Sequence, residues 1–330
     1  MSGADDEVVR RHDAPLVGLA LARFHTLTPA ERALLEFADK SEHAQGEFAV
    51  AGTSASPLDP SNDPAHAAEW SHDRDIRADL IRWLAVDDSA SARVDPGGVR
   101  VLGARIIGGL NLSYVHLPFA IMARRCAIPE TIRMVRTEIS HLDLDGSYIY
   151  QLDGKGLVVH SDLDLGEGFH SSGEILIEAA KIDGDLNLGG AHLHHSKVEM
   201  SSAGVAPYKL ALDAIGAVVG GAARICCGFE SDGDVAFTSA SLNQGLLMWG
   251  AHLSNPNNVA LHAGWADIGG VALADLRRAS EDSKQMEGSI LLWRESNPIF
   301  RWYMPSSGVP PLKIPQCLLS RPVTVSSQEG

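Results

Sequence analysis

The stretch Ser161-Asp162-Leu163-Asp164-Leu165 returns as Gly184-Asp185-Leu186-Asn187-Leu188, and Gly108-Gly109-Leu110-Asn111-Leu112 has the same form. Each copy is a small or polar step followed by two apolar residues with one polar residue between them. Along the chain the first apolar position reads Leu110, Leu142, Leu163, Leu186, Ala223, Leu246 and Val271. The second reads Leu112, Leu144, Leu165, Leu188, Ile225, Met248 and Leu273. Successive landmarks are 21 to 25 residues apart, except for two longer gaps that read as insertions. Such a period means one strand-and-turn coil laid on the next.

A longer repeat supports the short one. Residues 159–193 lie on 219–253 without a gap. Gly168-Phe169 then falls on Gly228-Phe229, Ile175 and Ile177 on Val235 and Phe237, and Ala191-His192-Leu193 on Ala251-His252-Leu253. The 60-residue offset reads as two coils plus an insertion, His195 to Lys209. Within a coil the apolar residues stand two apart, which is strand geometry. Glycines cut the strands short. A Rossmann-type α/β fold would need helices of about ten or more residues between strands, and the Gly-rich stretch 150–275 has no room for them. The expected fold is therefore mostly β: a right-handed parallel β-solenoid of about seven coils over residues 94–275.

Ala180-Lys181-Ile182-Asp183-Gly184 and Ala191-His192-Leu193-His194-His195 resemble the pentapeptide-repeat pattern, Ala-Asp/Asn-Leu-x-x. The block from Val94 to Leu112 resembles the entry into the coils of a bacterial family of degenerate pentapeptide-repeat-like solenoids whose activity is unsettled. The resemblance covers roughly residues 75–275 and implies a quadrilateral β-helix. Pentapeptide-repeat proteins that mimic DNA and bind DNA gyrase share this coil type and negative charge, so the resemblance also implies a DNA-binding enzyme as one class of partner. Some relatives carry an oxidoreductase label, and no residue here supports it.

The chain has 330 residues, of which 6% are aromatic and 21% charged, with a net charge of −15. That charge disfavours direct nucleic-acid binding and anionic membranes. The acidic start Met1-Ser2-Gly3-Ala4-Asp5-Asp6-Glu7 lacks the apolar core of a signal peptide, and no apolar run is long enough to span a membrane. A cytoplasmic protein is expected. Its 4 cysteines, including the adjacent Cys226 and Cys227, give neither a disulfide framework nor a zinc spacing.

Residues 1–93 differ in texture and read as a helical N-terminal cap, covering the end coil against edge-to-edge pairing. Thr28 is an N-cap with Pro29 in the first turn and Glu31 at the third position. Asp75 to Val86 has helical apolar spacing, and residues 51–65 form a flexible loop rich in Ser, Pro, Asp and Gly. Residues 276–330 read as an irregular C-terminal segment, with a polar helix at Arg277 to Glu287. Trp293, Phe300, Trp302 and Tyr303 concentrate there, as docking contacts for a partner or a second copy of the chain.

The outward residue between each apolar pair is Asn111, Asp143, Asp164, Asn187, Arg224, Leu247 and Ala272, with Asp162 and Asp185 beside the stripe. Asp143, Asp162, Asp164 and Asp185 are thus candidate contacts for a basic partner. The plain alternative is a solvated coil corner. Polysaccharide-cleaving β-helix enzymes use paired aspartates in this way, but with longer coils and long loops walling a groove. The calcium β-roll pattern appears only in fragments. Gly166-Glu167-Gly168-Phe169 lacks the dinucleotide spacing and a following helix. His192, His194 and His195 form a corner with His252 at the equivalent place, but no carboxylate or cysteine is evidently placed to complete a metal site. No catalytic residue, cofactor or metal is assigned. The expected function is a non-catalytic interaction scaffold. The alternatives are a DNA mimic and a carbohydrate-active enzyme.

Overall fold

The computed structural model describes residues 15–39, 47–194 and 210–269, together with strands at 271–272, 286–294 and 297–303. It is a mostly β protein whose short parallel strands stack as a β-solenoid of about seven turns. Each turn has four faces. The third turn shows the plan, with strands Leu142–Asp143, Tyr148–Ile149, Leu152–Asp153 and Val158–Val159.

The inward pairs of this turn are Leu142/Leu144, Ser147/Ile149, Leu152/Gly154 and Leu157/Val159, so one face follows another every five residues. On the first face, Leu142, Leu163, Leu186, Ala223, Leu246 and Val271 stand in one parallel ladder. Leu110 does not belong to it. Ile121 pairs with Leu142, whereas Asn111 bridges to Arg133 on the third face. The long gap before Leu142 is therefore a change of face and contains no insertion. Asn111 likewise leaves the outward column, and Met122 stands beneath Asp143. The second long gap contains residues 195–209, which lie outside the described residues.

The 60-residue offset is two turns, since Val159 pairs with Ile182 and Ile182 with Val219. Turns alternate in girth from the fourth onward. The step from first to second face is six residues at Leu163 to Phe169 and at Ala223 to Phe229. It is five residues at Leu186 to Ala191 and at Leu246 to Ala251. The extra residue sits in left-handed backbone: Glu167-Gly168 (φ 51° and 84°) and Cys227-Gly228 (φ 60° and 89°). Glycine takes that conformation without a Cβ penalty. The wider corners hold Phe169 and Phe229, fully buried, over the narrower turn of Ala191. The third face keeps step, with Ile177, Ala214, Phe237 and Ala263 in its inner column.

Helices Pro29–Ala38 and Ala78–Val86 lie against the first turn, where Ile81 lines an apolar cavity with Val99, Val101 and Ile106, and Leu16–Phe24 packs on these helices, with Phe24 edge-on to Trp83. Thr28 and Glu31 form the capping box, and Glu31 also accepts from Arg77 Nε at 2.6 Å. Asp75–Arg77 is a strand, so the helix there starts at Ala78. In the 51–65 loop the Asn62 amide donates to the Ser54 and Ser56 carbonyls, at 2.9 and 3.0 Å. Residues 286–294 form a strand parallel to His252–Gly264, and Asn297–Tyr303 pairs antiparallel with it. Met286 and Glu287 thus stand in a strand, and the rest of the expected 277–287 helix lies outside the described residues. Among the described residues no helix is long and apolar enough to cross a membrane.

Candidate functional site

The ladder on the first face carries the polar side chains that the alternation of strand residues turns outward. Asp143, Asp164, Asn187 and Arg224 follow one another in register. Asp162 and Asp185 stand one residue before Leu163 and Leu186, at the corner entering this face. Around them lies an open groove of about 300 Å³, lined by Asp162, Asp164, Asp185, Arg224, Cys226 and Trp249 among others.

The structure brings the predicted aspartates together but gives them unequal settings. Asp143 is only 1% exposed and accepts from Arg124 Nε at 2.7 Å. Asp145, unread in the sequence, is also buried; it accepts from the Gly166 N–H at 2.8 Å and lies 3.7 Å from the Arg124 guanidinium. Burial, then the neighbouring Asp143 charge, pushes the Asp145 carboxyl up to about 7.

Asp162 accepts the Asp185 N–H at 2.7 Å, and Asp185 accepts the Ala222 N–H at 2.7 Å. These two carboxylates therefore tie each turn to the next. Space for them comes from Gly184 and Gly221, where an added Cβ would lie 2.1 and 2.0 Å from the respective Oδ1 atoms. Asp185 also takes a double hydrogen bond from Arg224, at 3.0 and 2.7 Å. Asp164 accepts from the Asn187 amide at 3.2 Å and lies 3.4 Å from His141 Nε2. Its carboxyl is raised above the ordinary range, mainly by burial.

Beside the groove the Cys226 and Cys227 Sγ atoms are 2.8 Å apart. Cys226 is buried, and desolvation followed by the Cys227 thiol pushes it up to about 12. This thiol is accordingly a poor nucleophile near neutral pH.

Of the aromatic residues predicted for docking, Trp293 stands in the strand Met286–Arg294 and Phe300, Trp302 and Tyr303 in Asn297–Tyr303. They are distant in sequence from the aspartate ladder and belong to the sheet of the second and third faces.

The second face carries a cluster only partly visible in the sequence. His192 and His194 share an outer strand face, as alternation predicts. The parallel register places His170 beside His192 on one side and Glu230 on the other. The Glu230 carboxylate is 3.1 Å from His192 Nδ1. The expectation that no carboxylate completes this corner is thus corrected. Glu230 is 36 residues from His194, and only the coil register joins them. The His170 imidazole is held below its ordinary value by burial, then by His194 and His192.

The chain matches no known protein family, no curated protein and no solved structure. The functional reading therefore rests on the residues themselves.

Proposed function

We propose that this protein is a non-catalytic β-solenoid scaffold that binds a partner protein through the first-face groove, which takes a lysine or arginine side chain of that partner. The observation that carries this reading is Asp164, a carboxylate lining an open groove and raised by desolvation. An arriving cation relieves that cost, because an opposite charge favours the ionised carboxylate. Trp249 supplies an aromatic wall, suited to the flat face of a guanidinium.

This groove reading is preferred to acidic mimicry of DNA. Mimicry needs a row of accessible charges, whereas Asp143 is engaged by Arg124 and Asp185 by Arg224. A raised carboxyl is also what a general acid uses, and this favours the carbohydrate-active alternative. Hydrolysis of chromogenic glycosides, lost in Asp164→Asn, is its test.

The groove is tested with an arginine-rich peptide titrated calorimetrically at low and high salt. Asp164→Asn and Trp249→Ala are each expected to weaken binding at least about fivefold, the size of about 1 kcal/mol. Asp183→Asn, which removes an exposed charge on another face, is expected to leave it nearly unchanged. Equal losses from all three variants would reduce the effect to the general charge of the protein and overturn the reading.

A further inference from the structure

We propose that the second face carries a binding site for a divalent transition-metal ion of the zinc, nickel and copper class, formed by His192, His194 and Glu230. The proposal is independent of the first-face groove. One ligand atom from each of these residues, taken together, lies within 4.8 Å of the others. Two imidazole nitrogens and one carboxylate oxygen form a three-ligand set of the kind that leaves a fourth position open on zinc. Imidazole donors also select this class over magnesium or calcium, which prefer all-oxygen shells.

The backbone accounts for the geometry. His192 and His194 are two apart on one strand, so both point to the same side. Glu230 is the register partner of His192 on the next turn, where parallel strands lie about 4.8 Å apart. Ligands of a tetrahedral ion with bonds of about 2.1 Å must approach closer than that, which side-chain rotation supplies without moving the strands. Neither histidine nor Glu230 is buried, so the site is open to an ion from solvent.

Supporting groups hold the imidazoles in place. The rings of His192 and His194 stack at 6.3 Å between centroids, and His170 lies 5.4 Å from His194. Tyr148 stacks on His170 at 4.8 Å. His170 is thus a positioning residue within reach of the cluster. The other grouping of metal-ligating side chains among the described residues, His141, Asp143 and Asp164, already faces the Arg124 cation through Asp143. Among the described residues the histidine cluster has no comparable cation in its hydrogen-bond set.

The test uses the untagged full-length protein, stripped with chelator and titrated calorimetrically with zinc chloride, then with magnesium chloride. One zinc per chain is expected at this site, with no matching magnesium isotherm. His192→Ala, His194→Ala and Glu230→Gln are each expected to weaken zinc binding at least about tenfold, the loss that even a supporting partner of a metal ligand carries. These side chains are exposed enough for the variants to keep the wild-type circular dichroism. His141→Ala is expected to keep wild-type affinity. Cobalt added in place of zinc gives the visible absorption of a nitrogen-ligated ion, lost in His192→Ala. No zinc binding by the wild type, or binding unchanged in all three cluster variants, would overturn the proposal. So would loss in His141→Ala alone.

Discussion

Arg124 and Asp143 form an ion pair, 2.7 Å from Nε to carboxylate, between two turns of the first face. The carboxylate is 1% exposed and the guanidinium side chain 32%, so the pair bridges core and solvent. Removing only the cation leaves Asp143 and the nearby Asp145 buried in each other's field. Arg124→Met is expected to destabilise the protein by about 3 kcal/mol, the lower end of the range for breaking a buried pair, because Arg124 is partly solvated. Chemical denaturation of this variant, of Asp143→Asn and of the double variant checks it. The double variant should recover much of the loss.

Asp145 makes stability depend on pH in a definite sense. Its folded-state carboxyl, at about 7, lies above its ordinary value, so the native state holds this proton more tightly than the unfolded chain. The resulting stabilisation is complete below about pH 4 and fades as pH rises to about 7. Asp145→Asn keeps an acceptor for the Gly166 N–H and has no charge to lose. The variant should match wild type near pH 4 and exceed it at pH 8, by at most about 4 kcal/mol. Paired urea titrations at the two pH values decide it, and a constant difference would contradict the assignment.

His160 gives a pH dependence of the same sense from a different cause. It sits between Glu138 Oε1 at 2.8 Å and Asp183 Oδ2 at 3.1 Å, linking three turns along the fourth face. These two hydrogen bonds raise its pKa. The stability it contributes is present below its unfolded value of about 6.5 and is lost as pH rises through the raised folded value. His160→Gln should therefore lower the melting temperature more at pH 5.5 than at pH 8.5. The reverse order would show that the two carboxylates do not govern this imidazole.

The alternation of girth predicts two opposite packing defects. Phe169→Ala empties a wide turn and should cost about 3–5 kcal/mol. Ala191→Leu overfills the narrow turn between Phe169 and Phe229 and should cost about 1–3 kcal/mol. Thermal unfolding of both variants checks this. A neutral Ala191→Leu would mean that the narrow turn has slack.

The fold was legible in the sequence because inward residues recur with the coil, and coil-sized repetition survives without any knowledge of contacts. Leu110 shows where that reading fails. All four faces use the same two-apart spacing of inward residues, so Gly108-Gly109-Leu110-Asn111-Leu112 on the third face looks like Gly184-Asp185-Leu186-Asn187-Leu188 on the first. The site was harder to see. Phase picks out Asp143 and Asp164, and Asp185 only as a neighbour of the stripe, but phase does not reveal that Arg124 and Arg224 answer Asp143 and Asp185 from adjacent turns. The 60-residue alignment already set His170 against Glu230. Applied one coil at a time, the same alignment places His192 between them, and that was the available signal for the histidine cluster.

The two-turn rhythm of wide and narrow coils also limits how such a molecule can lengthen. In a solenoid each turn meets only its neighbours, so whole turns are in principle interchangeable parts. Here a single added turn would place Phe against Phe or leave Ala facing Ala across an empty space. A pair of turns would preserve the sequence Phe169, Ala191, Phe229, Ala251 at both joints. From the fourth turn onward the unit of duplication is therefore the doublet, whereas the adjacent second and third turns, both with five-residue steps at Ile121 to Cys126 and Leu142 to Ser147, carry no such rhythm.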